Sequence, residues 1–180
     1  MADPISLQTV LTYLTLISIP VGVIYHIMTL NNTRKTQKHA LETRQAQLYM
    51  QLYSFYDNKE FLKDYGNITN LYTYEDAEDW WEKYSPAVDI EAYSSWLRVG
   101  RFFDGVGILV RRGLIEKELM FELLGDVIKG SWEGNIPKTG MECFIMTGRG
   151  LWNMPRLWHN FEYLYSELMK YIEEHPELKT

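Results

Sequence analysis

The sequence contains a single cysteine, Cys143, so no disulfide can form within the chain and no cluster of cysteines can hold a metal. A lone cysteine is compatible with a reducing compartment. Basic residues are also few, because 18 Lys and Arg stand against 24 Asp and Glu and the formal net charge is −6. A protein that neutralises phosphates needs a basic surface. The charge balance therefore argues against a nucleic-acid-binding protein.

The stretch FFDGVGILVRRG, residues 102–113, lacks what a phosphate-binding loop requires. Gly105 and Gly107 match the first two glycines of the dinucleotide pattern G-x-G-x-x-G, but Val110 occupies the third position. The chain has no Gly-Lys-Ser/Thr of a P-loop, no G-x-S-x-G of a hydrolase and no H-E-x-x-H zinc motif. We therefore predict no cofactor, no metal and no catalytic residue.

A long stretch without charge lies near the N-terminus. From Ile5 to Leu30 there is no Asp, Glu, Lys or Arg. As a helix this stretch would be about 39 Å long, against about 30 Å for the hydrocarbon core of a bilayer. The pattern predicts one transmembrane helix over residues 5–30, in which Pro20 and Gly22 mark a tolerated kink. A buried helix of a soluble protein and a cleaved signal peptide are the alternatives, although no basic segment precedes the stretch.

The flanking charges predict the orientation of this helix. Asp3 is the only charged side chain before it, whereas Arg34, Lys35 and Lys38 follow it closely. The positive-inside rule places the N-terminus outside and the remainder of a single-pass cell-membrane protein in the cytoplasm. We expect the three basic side chains to lie close to anionic lipid.

Apolar residues recur every seven positions after the basic cluster, at Leu41, Leu48 and Phe55. A coiled-coil dimer and docking onto the protein's own domain both explain this spacing, and fewer than three full heptads favour docking. We divide the chain into an N-terminal segment with the transmembrane helix (1–30), a basic juxtamembrane stalk and first helix (31–57), and a helical domain (58–180).

The helical domain shows no alternating strand pattern of useful length, which predicts an all-α fold of about five to six helices behind the membrane helix. Thr73 and Asp76 have the spacing of a capping box before a short helix. A further helix is expected from Glu116 to Lys129. The apolar face predicted for that helix comprises Leu119, Leu123, Val127 and Ile128.

The last helix is predicted to begin at Asn153 as its N-cap, with Pro155 in its first turn. Pro176 is expected to end it. Its apolar stripe consists of Leu157, Phe161, Leu164, Leu168 and Ile172. The intervening segment 130–154 is rich in glycine and proline and gives no clear pattern, apart from a short helix over MECFIMTGRG.

A helix over about 89–112 explains the glycines of FFDGVGILVRRG. Gly100 and Gly107 lie seven residues apart, and so on one face, where we expect a neighbouring backbone to approach closely. Gly113 follows Arg111 and Arg112 as a left-handed C-terminal cap. The apolar stripe on this helix is Trp96, Val99, Phe103, Val106 and Val110.

These stretches resemble an uncharacterised, largely prokaryotic domain-of-unknown-function family. Its members are small proteins with an N-terminal membrane helix and a cytoplasmic helical domain, and the resemblance covers most of residues 40–170. The resemblance implies no established activity, substrate or catalytic residue. We expect Trp132, in the shared WE element, to be a packing residue. Glu116 stands where members often have an Asp cap, and residues 134–140 interrupt the pattern. The shared elements are ETRQAQLYMQLY at 42–53, FFDGVGILVRRGLI at 102–115, WE at 132–133 and WHNFEYL at 158–164.

Several polar residues could form a ligand site. His159 and Glu162 share a helix face and could be half of a metal site, but no second pair at ligand spacing accompanies them. Cys143 with His159 could be a nucleophile and its base, although a single cysteine is usually a buried apolar residue. Four arginines could converge on an anion or form surface salt bridges: Arg98, Arg101, Arg149 and Arg156.

These observations favour a membrane-anchored cytoplasmic interaction or scaffold module without catalysis. Its expected partners are the lipid bilayer and another protein or a second copy of the chain. The alternative is an enzyme or small-ligand sensor whose polar pocket is built from the arginines, His159 and Glu162.

Overall fold

The computed structural model describes residues 7–176, and within that range the chain forms seven helices and no strand, which confirms the all-α prediction. The chain comprises two compact units, Met1–Ala46 and Gln47–Thr180. The helices are α1 (Leu7–Tyr56), α2 (Lys59–Asn70), α3 (Ala77–Tyr84), α4 (Ile90–Arg111), α5 (Lys117–Glu133), α6 (Glu142–Leu151) and α7 (His159–Glu174).

α1 is one continuous helix of 50 residues that includes Pro20. The described side chains of residues 7–30 are exposed. Thr12 and Thr15 each donate a hydroxyl hydrogen bond to the carbonyl four residues earlier, at 2.8 and 2.9 Å, so their polar groups are satisfied inside the helix. Among the described residues, α1 alone is long and apolar enough to cross a membrane, a criterion that a signal sequence also meets.

α4 is central to the unit formed by residues 47–180. It contacts α7 most extensively and α2 next. Its predicted apolar stripe, from Trp96 to Val110, is buried as expected. Phe103 stacks on Phe161 at 5.0 Å between ring centroids, and Trp132 meets the same ring edge-on at 5.1 Å. These rings join α4, α5 and α7 in one core.

Two glycines of α4 make room for the start of α7. A Cβ atom at Gly107 would collide with the backbone carbonyl of Asn160, which confirms the expected close approach of a backbone. At Gly100 the neighbour is different, because a Cβ there would lie 2.7 Å from the ring of Trp158. The prediction of a neighbouring backbone is therefore wrong at Gly100, where an indole fills the space.

The start of α7 is capped by a residue of α4. Asp104 Oδ1 accepts hydrogen bonds from the backbone N–H groups of Asn160 at 2.9 Å and Phe161 at 3.3 Å. The local N-cap position, Trp158, is left-handed with φ +44° and makes no side-chain cap. The prediction that Asn153 caps this helix is therefore wrong, because the capping carboxylate comes from another helix.

Gly113 ends α4 as predicted. Its φ is +63°, a left-handed value that glycine adopts without strain. Its N–H donates to the carbonyl of Val110 at 2.9 Å, and the N–H of Leu114 donates to that of Leu109 at 2.9 Å. These two hydrogen bonds form a Schellman motif.

Two predictions about neighbouring helices need correction. The N-cap of α3 is Asp76, which accepts from the N–H groups of Glu78 and Asp79, so Thr73 is not the cap. α5 continues to Glu133, and only part of its predicted apolar face is buried. Ile128 is buried and Val127 packs against the core, but Leu119 and Leu123 are exposed. The buried face of α5 consists of Met120, Phe121, Leu124, Ile128 and Trp132.

The segment 134–141, which gave no sequence pattern, closes the C-terminal end of α2. The N–H of Asn135 and the hydroxyl of Thr139 both donate to the carbonyl of Thr69 at 2.9 Å. The N–H of Gly140 donates to the carbonyl of Ile68 at 3.1 Å. The loop thus satisfies the carbonyls of Ile68 and Thr69, whereas the carbonyl of Asn67 accepts from the N–H groups of Leu71 and Tyr72 that follow α2.

We predict opposite effects for two substitutions in α4. Gly107→Ala forces α4 and α7 apart and lowers the free energy of unfolding by about 2 kcal/mol. Gly105→Ala is the matched control, because a Cβ at Gly105 meets no atom within 4 Å. It removes a helix-interior glycine and raises the free energy of unfolding by about 0.5–1 kcal/mol. Denaturant unfolding of the full chain in detergent measures both, and a Gly107→Ala protein as stable as the unaltered chain would contradict the packing.

Candidate functional site

An apolar groove of about 960 Å³ lies between the last turns of α1 and a face of α4 distinct from the one that contacts α7. The last turns of α1 belong to the unit of residues 47–180, and Leu48 and Leu52 there are partly buried against its core. Leu41, earlier in the same repeat, is exposed. The main apolar side chains of the groove are Leu48, Leu52, Phe55, Leu97, Phe102 and Leu109.

One position in the lining of the groove has no side chain. Gly105 lies in its lining, and a Cβ there would meet no other atom within 4 Å. Beside this recess Phe55 stacks on Phe102 at 5.2 Å between centroids. Phe55 is 47% exposed and Ile108 is 38% exposed. The groove therefore presents apolar surface to solvent.

Two arginines of α4 line the same groove. Arg98 Nη1 lies 2.7 Å from Asp64 Oδ2 and 3.5 Å from Glu60 Oε2. Asp64, only 7% exposed, also accepts a hydrogen bond from the Ser95 hydroxyl at 2.7 Å. Arg101 is exposed and forms no ion pair with another residue of the described range 7–176. One guanidinium is thus held in place by a buried carboxylate and the other is available to a ligand.

A smaller polar cavity of about 400 Å³ adjoins the groove and shares Arg98 with it. Asp64, Lys63 and Tyr72 contribute to its lining. Hydroxyl, ammonium and carboxylate groups surround a space that suits a polar group instead of an apolar one.

The remaining predicted ligand residues form a separate group where α6 approaches α7. Arg149 Nη1 lies 2.8 Å from Glu162, and its Nε donates to the carbonyl of Leu157 at 3.0 Å. His159 Nδ1 lies 3.7 Å from Glu162. Arg149 thus braces the turn that precedes α7. The five residues predicted to form one ligand site therefore fall into two groups. Arg98 and Arg101 line the groove, whereas Arg149, His159 and Glu162 lie together elsewhere. Arg156 is exposed.

The basic residues after the apolar stretch, Arg34, Lys35 and Lys38, are exposed on α1. Lys38 forms an ion pair with Glu42 at 3.8 Å. Arg34 and Lys35 have no ion-pair partner among the described residues.

Two titratable groups elsewhere in the domain have pKa values that burial raises. Burial raises the pKa of the Cys143 thiol, whose sulfur lies 3.8 Å from the Thr147 hydroxyl. Burial, followed by the hydrogen bond to Glu133, raises the pKa of Tyr165. Among residues 7–176 no three His, Cys, Asp or Glu side chains come together as metal ligands.

Sequence reasoning missed Asp64 and Gly105. A signal for Asp64 was present, because Phe61, Asp64 and Ile68 recur at helical spacing and so place an acid on the apolar face of α2. Gly105 gave no such signal. Whether a helical glycine faces a neighbour or a recess depends on tertiary packing.

The raised pKa of Cys143 predicts that its thiol is alkylated slowly. At neutral pH a larger fraction of Cys143 is protonated than of a free cysteine, and only the thiolate is nucleophilic. We expect iodoacetamide to alkylate Cys143 in the full-length protein more slowly than it alkylates glutathione at pH 8. As the pH is raised, the increase in alkylation rate that accompanies deprotonation should occur at a higher pH for Cys143 than for glutathione. Faster alkylation than glutathione at pH 8 would contradict this environment.

Comparison with known proteins gives one result. No curated protein and no solved structure matches the chain significantly. A family model described as "Domain of unknown function (DUF4760)" matches residues 16–168, a range that includes both the FFDGVG and WHNF stretches. Since the match covers most of the chain, the resemblance to a domain-of-unknown-function family is confirmed, and the chain belongs to the DUF4760 family.

Proposed function

We propose that this chain is a membrane-anchored helical module that faces the cytoplasm and acts by binding a protein in the groove between α1 and α4, without catalysis. The observation that carries the proposal is the groove itself, which combines exposed apolar side chains with Arg101, a side chain that forms no ion pair within residues 7–176. Apolar patches of this kind, with arginine beside aromatic rings, are typical of protein interfaces.

Several features support the membrane anchor. The apolar part of α1 exposes its described side chains, an arrangement suited to lipid and unfavourable in water. Thr12 and Thr15 satisfy their hydroxyl groups on the helix backbone, as a hydrocarbon environment requires. The family match begins at residue 16, within this stretch. Arg34, Lys35 and Lys38 support a cytoplasmic domain through the positive-inside rule.

One observation favours the alternative of a small-ligand sensor. The polar cavity beside Arg98 could hold a hydroxylated or anionic small molecule. His159, Glu162 and Arg149 do not line it, so such a site would differ from the one expected from the sequence. The open apolar groove is the larger of the two and favours a protein ligand.

Site-specific photocrosslinking in intact cells tests the proposal. We expect benzoylphenylalanine at Ile108, in the groove, to give an adduct of defined mass with a protein. At Val88, an exposed apolar position outside the groove, it should give none. Gly105→Leu fills the recess and should reduce the Ile108 adduct. A protease-protection assay on a C-terminal tag should find the tag on the cytoplasmic side.

Two results would contradict the proposal. A tag that is digested from outside the cell would place the domain on the other side of the membrane. A groove that crosslinks to no protein, or crosslinks equally with and without Gly105→Leu, would show that the groove is not the binding surface.

A further inference from the structure

We propose that the groove binds α5 of a second copy of this chain. The inference rests on the groove being a protein-binding surface, as proposed above, and it names the occupant. Two surfaces of the chain carry the argument: the groove with Arg98 and Arg101, and a ridge on α5 that we call the acidic-leucine ridge, formed by Glu118, Leu119, Glu122, Leu123 and Asp126.

The acidic-leucine ridge is apolar surface that the chain's own core does not use. Leu119 is 37% exposed and Leu123 is 48% exposed, and they lie one helical turn apart. The opposite side of α5 is fixed by buried Phe121 and Leu124, so this helix cannot rotate to bury the two leucines. The ridge therefore offers apolar surface to a partner.

The acids of the ridge and Arg101 of the groove carry opposite charges, and none of them has an ion-pair partner within residues 7–176. Glu118, Glu122 and Asp126 are exposed and form no ion pair within the described part of the chain. Arg101 likewise forms none within residues 7–176. Arg98 and Arg101 lie about one turn apart on α4, and successive acids of the ridge are separated by about 6 Å along the α5 axis. The Arg101 guanidinium can therefore face a carboxylate of a docked helix, whereas Arg98 is already held by Asp64.

The shapes agree with binding of a helix in a groove. Leucines at i and i+4 are the anchors of such a helix, and the groove offers aliphatic and aromatic side chains with the recess at Gly105. A helix from another protein would need the same spacing of leucines and acidic side chains, which α5 of this chain already has. Copies anchored in one membrane also meet at high effective concentration, which favours a contact between like chains.

The contact joins two different surfaces of the molecule. When α5 of one copy binds in the groove of a second copy, the groove of the first copy is still open to α5 of another. The assembly therefore either closes as a symmetric dimer, in which both contacts form together, or continues as a ring or chain.

Disulfide crosslinking between two tagged full-length chains tests the geometry. Both carry Cys143→Ser; one carries Ile108→Cys in the groove and the other Leu123→Cys on the ridge. After coexpression in membranes and mild oxidation, we expect the mixed pair to crosslink more efficiently than Ile108→Cys with itself or Leu123→Cys with itself. Absence of a mixed crosslink, or equal crosslinking in all three combinations, would overturn the proposal.

Charge reversal tests the same contact independently of cysteine chemistry. Fluorescence energy transfer between labelled full-length chains in lipid bilayers measures the dissociation constant. Arg101→Glu or Glu122→Lys should weaken association about tenfold or more, because like charges then face each other. Combining the two reversals on one chain should restore most of the affinity.

The matched controls are Arg156→Glu and Glu173→Lys, which reverse exposed charges outside both surfaces and should leave association unchanged. Failure of the double reversal to recover affinity would overturn the proposed pairing. If the groove photoadduct contains a different protein and never this chain, the second-copy inference is wrong while the proposed function stands. If the groove gives no protein adduct at all, both fail.

Discussion

The carboxylate of Asp104 fixes the start of α7 against the middle of α4, and the packing of the domain depends on this contact. The first N–H groups of α7 have no local side-chain cap, and a charged acceptor at a helix N-terminus is favoured by the helix dipole. The carboxylate can reach them only because Gly107 lets the backbone at Asn160 approach α4. Phe103 then stacks on Phe161, and Trp132 brings α5 against the same ring. One hydrogen-bonded contact thereby sets the positions of three helices.

Different faces of α4 account for both the stability of the domain and its binding surface. The face that contacts α7 is closed by the Asp104 cap and by the collision that any side chain at Gly107 would cause. The face toward the end of α1 stays open at Gly105, where apolar side chains and Arg101 remain exposed. Neighbouring glycines of the FFDGVG stretch thus have different roles. A rigid helix that presents an open groove is suited to binding a partner, and the charge of that groove is opposite to that of the exposed ridge on α5.

Sequence patterns predicted the all-α class, the buried stripe of α4 and the cap at Gly113, because each depends on periodicity or on residues close in the chain. The start of α7 was missed because its cap lies 56 residues away in the sequence. The exposure of Leu119 and Leu123 was missed because leucine occurs on both sides of α5, so that spacing alone does not say which leucines are buried. For the candidate site, only Arg98 and Arg101 of the arginines considered together line the groove, whereas Arg149 pairs with Glu162 elsewhere. Asp64 and the recess at Gly105 emerged only from tertiary packing.

Amide hydrogen exchange of the full-length protein, with and without Asp104→Ala, tests the central role of this cap most directly. We predict that the amides of Asn160 and Phe161 are strongly protected in the unaltered chain. In Asp104→Ala, protection should fall across α7 by about 1–2 kcal/mol in opening free energy, the usual effect of removing a helix cap. Asp126→Ala, which removes an exposed carboxylate from α5, is the matched control and should leave α7 unchanged. If α7 is equally protected in the Asp104→Ala protein and the unaltered chain, the contact does not hold the fold together and the account is wrong.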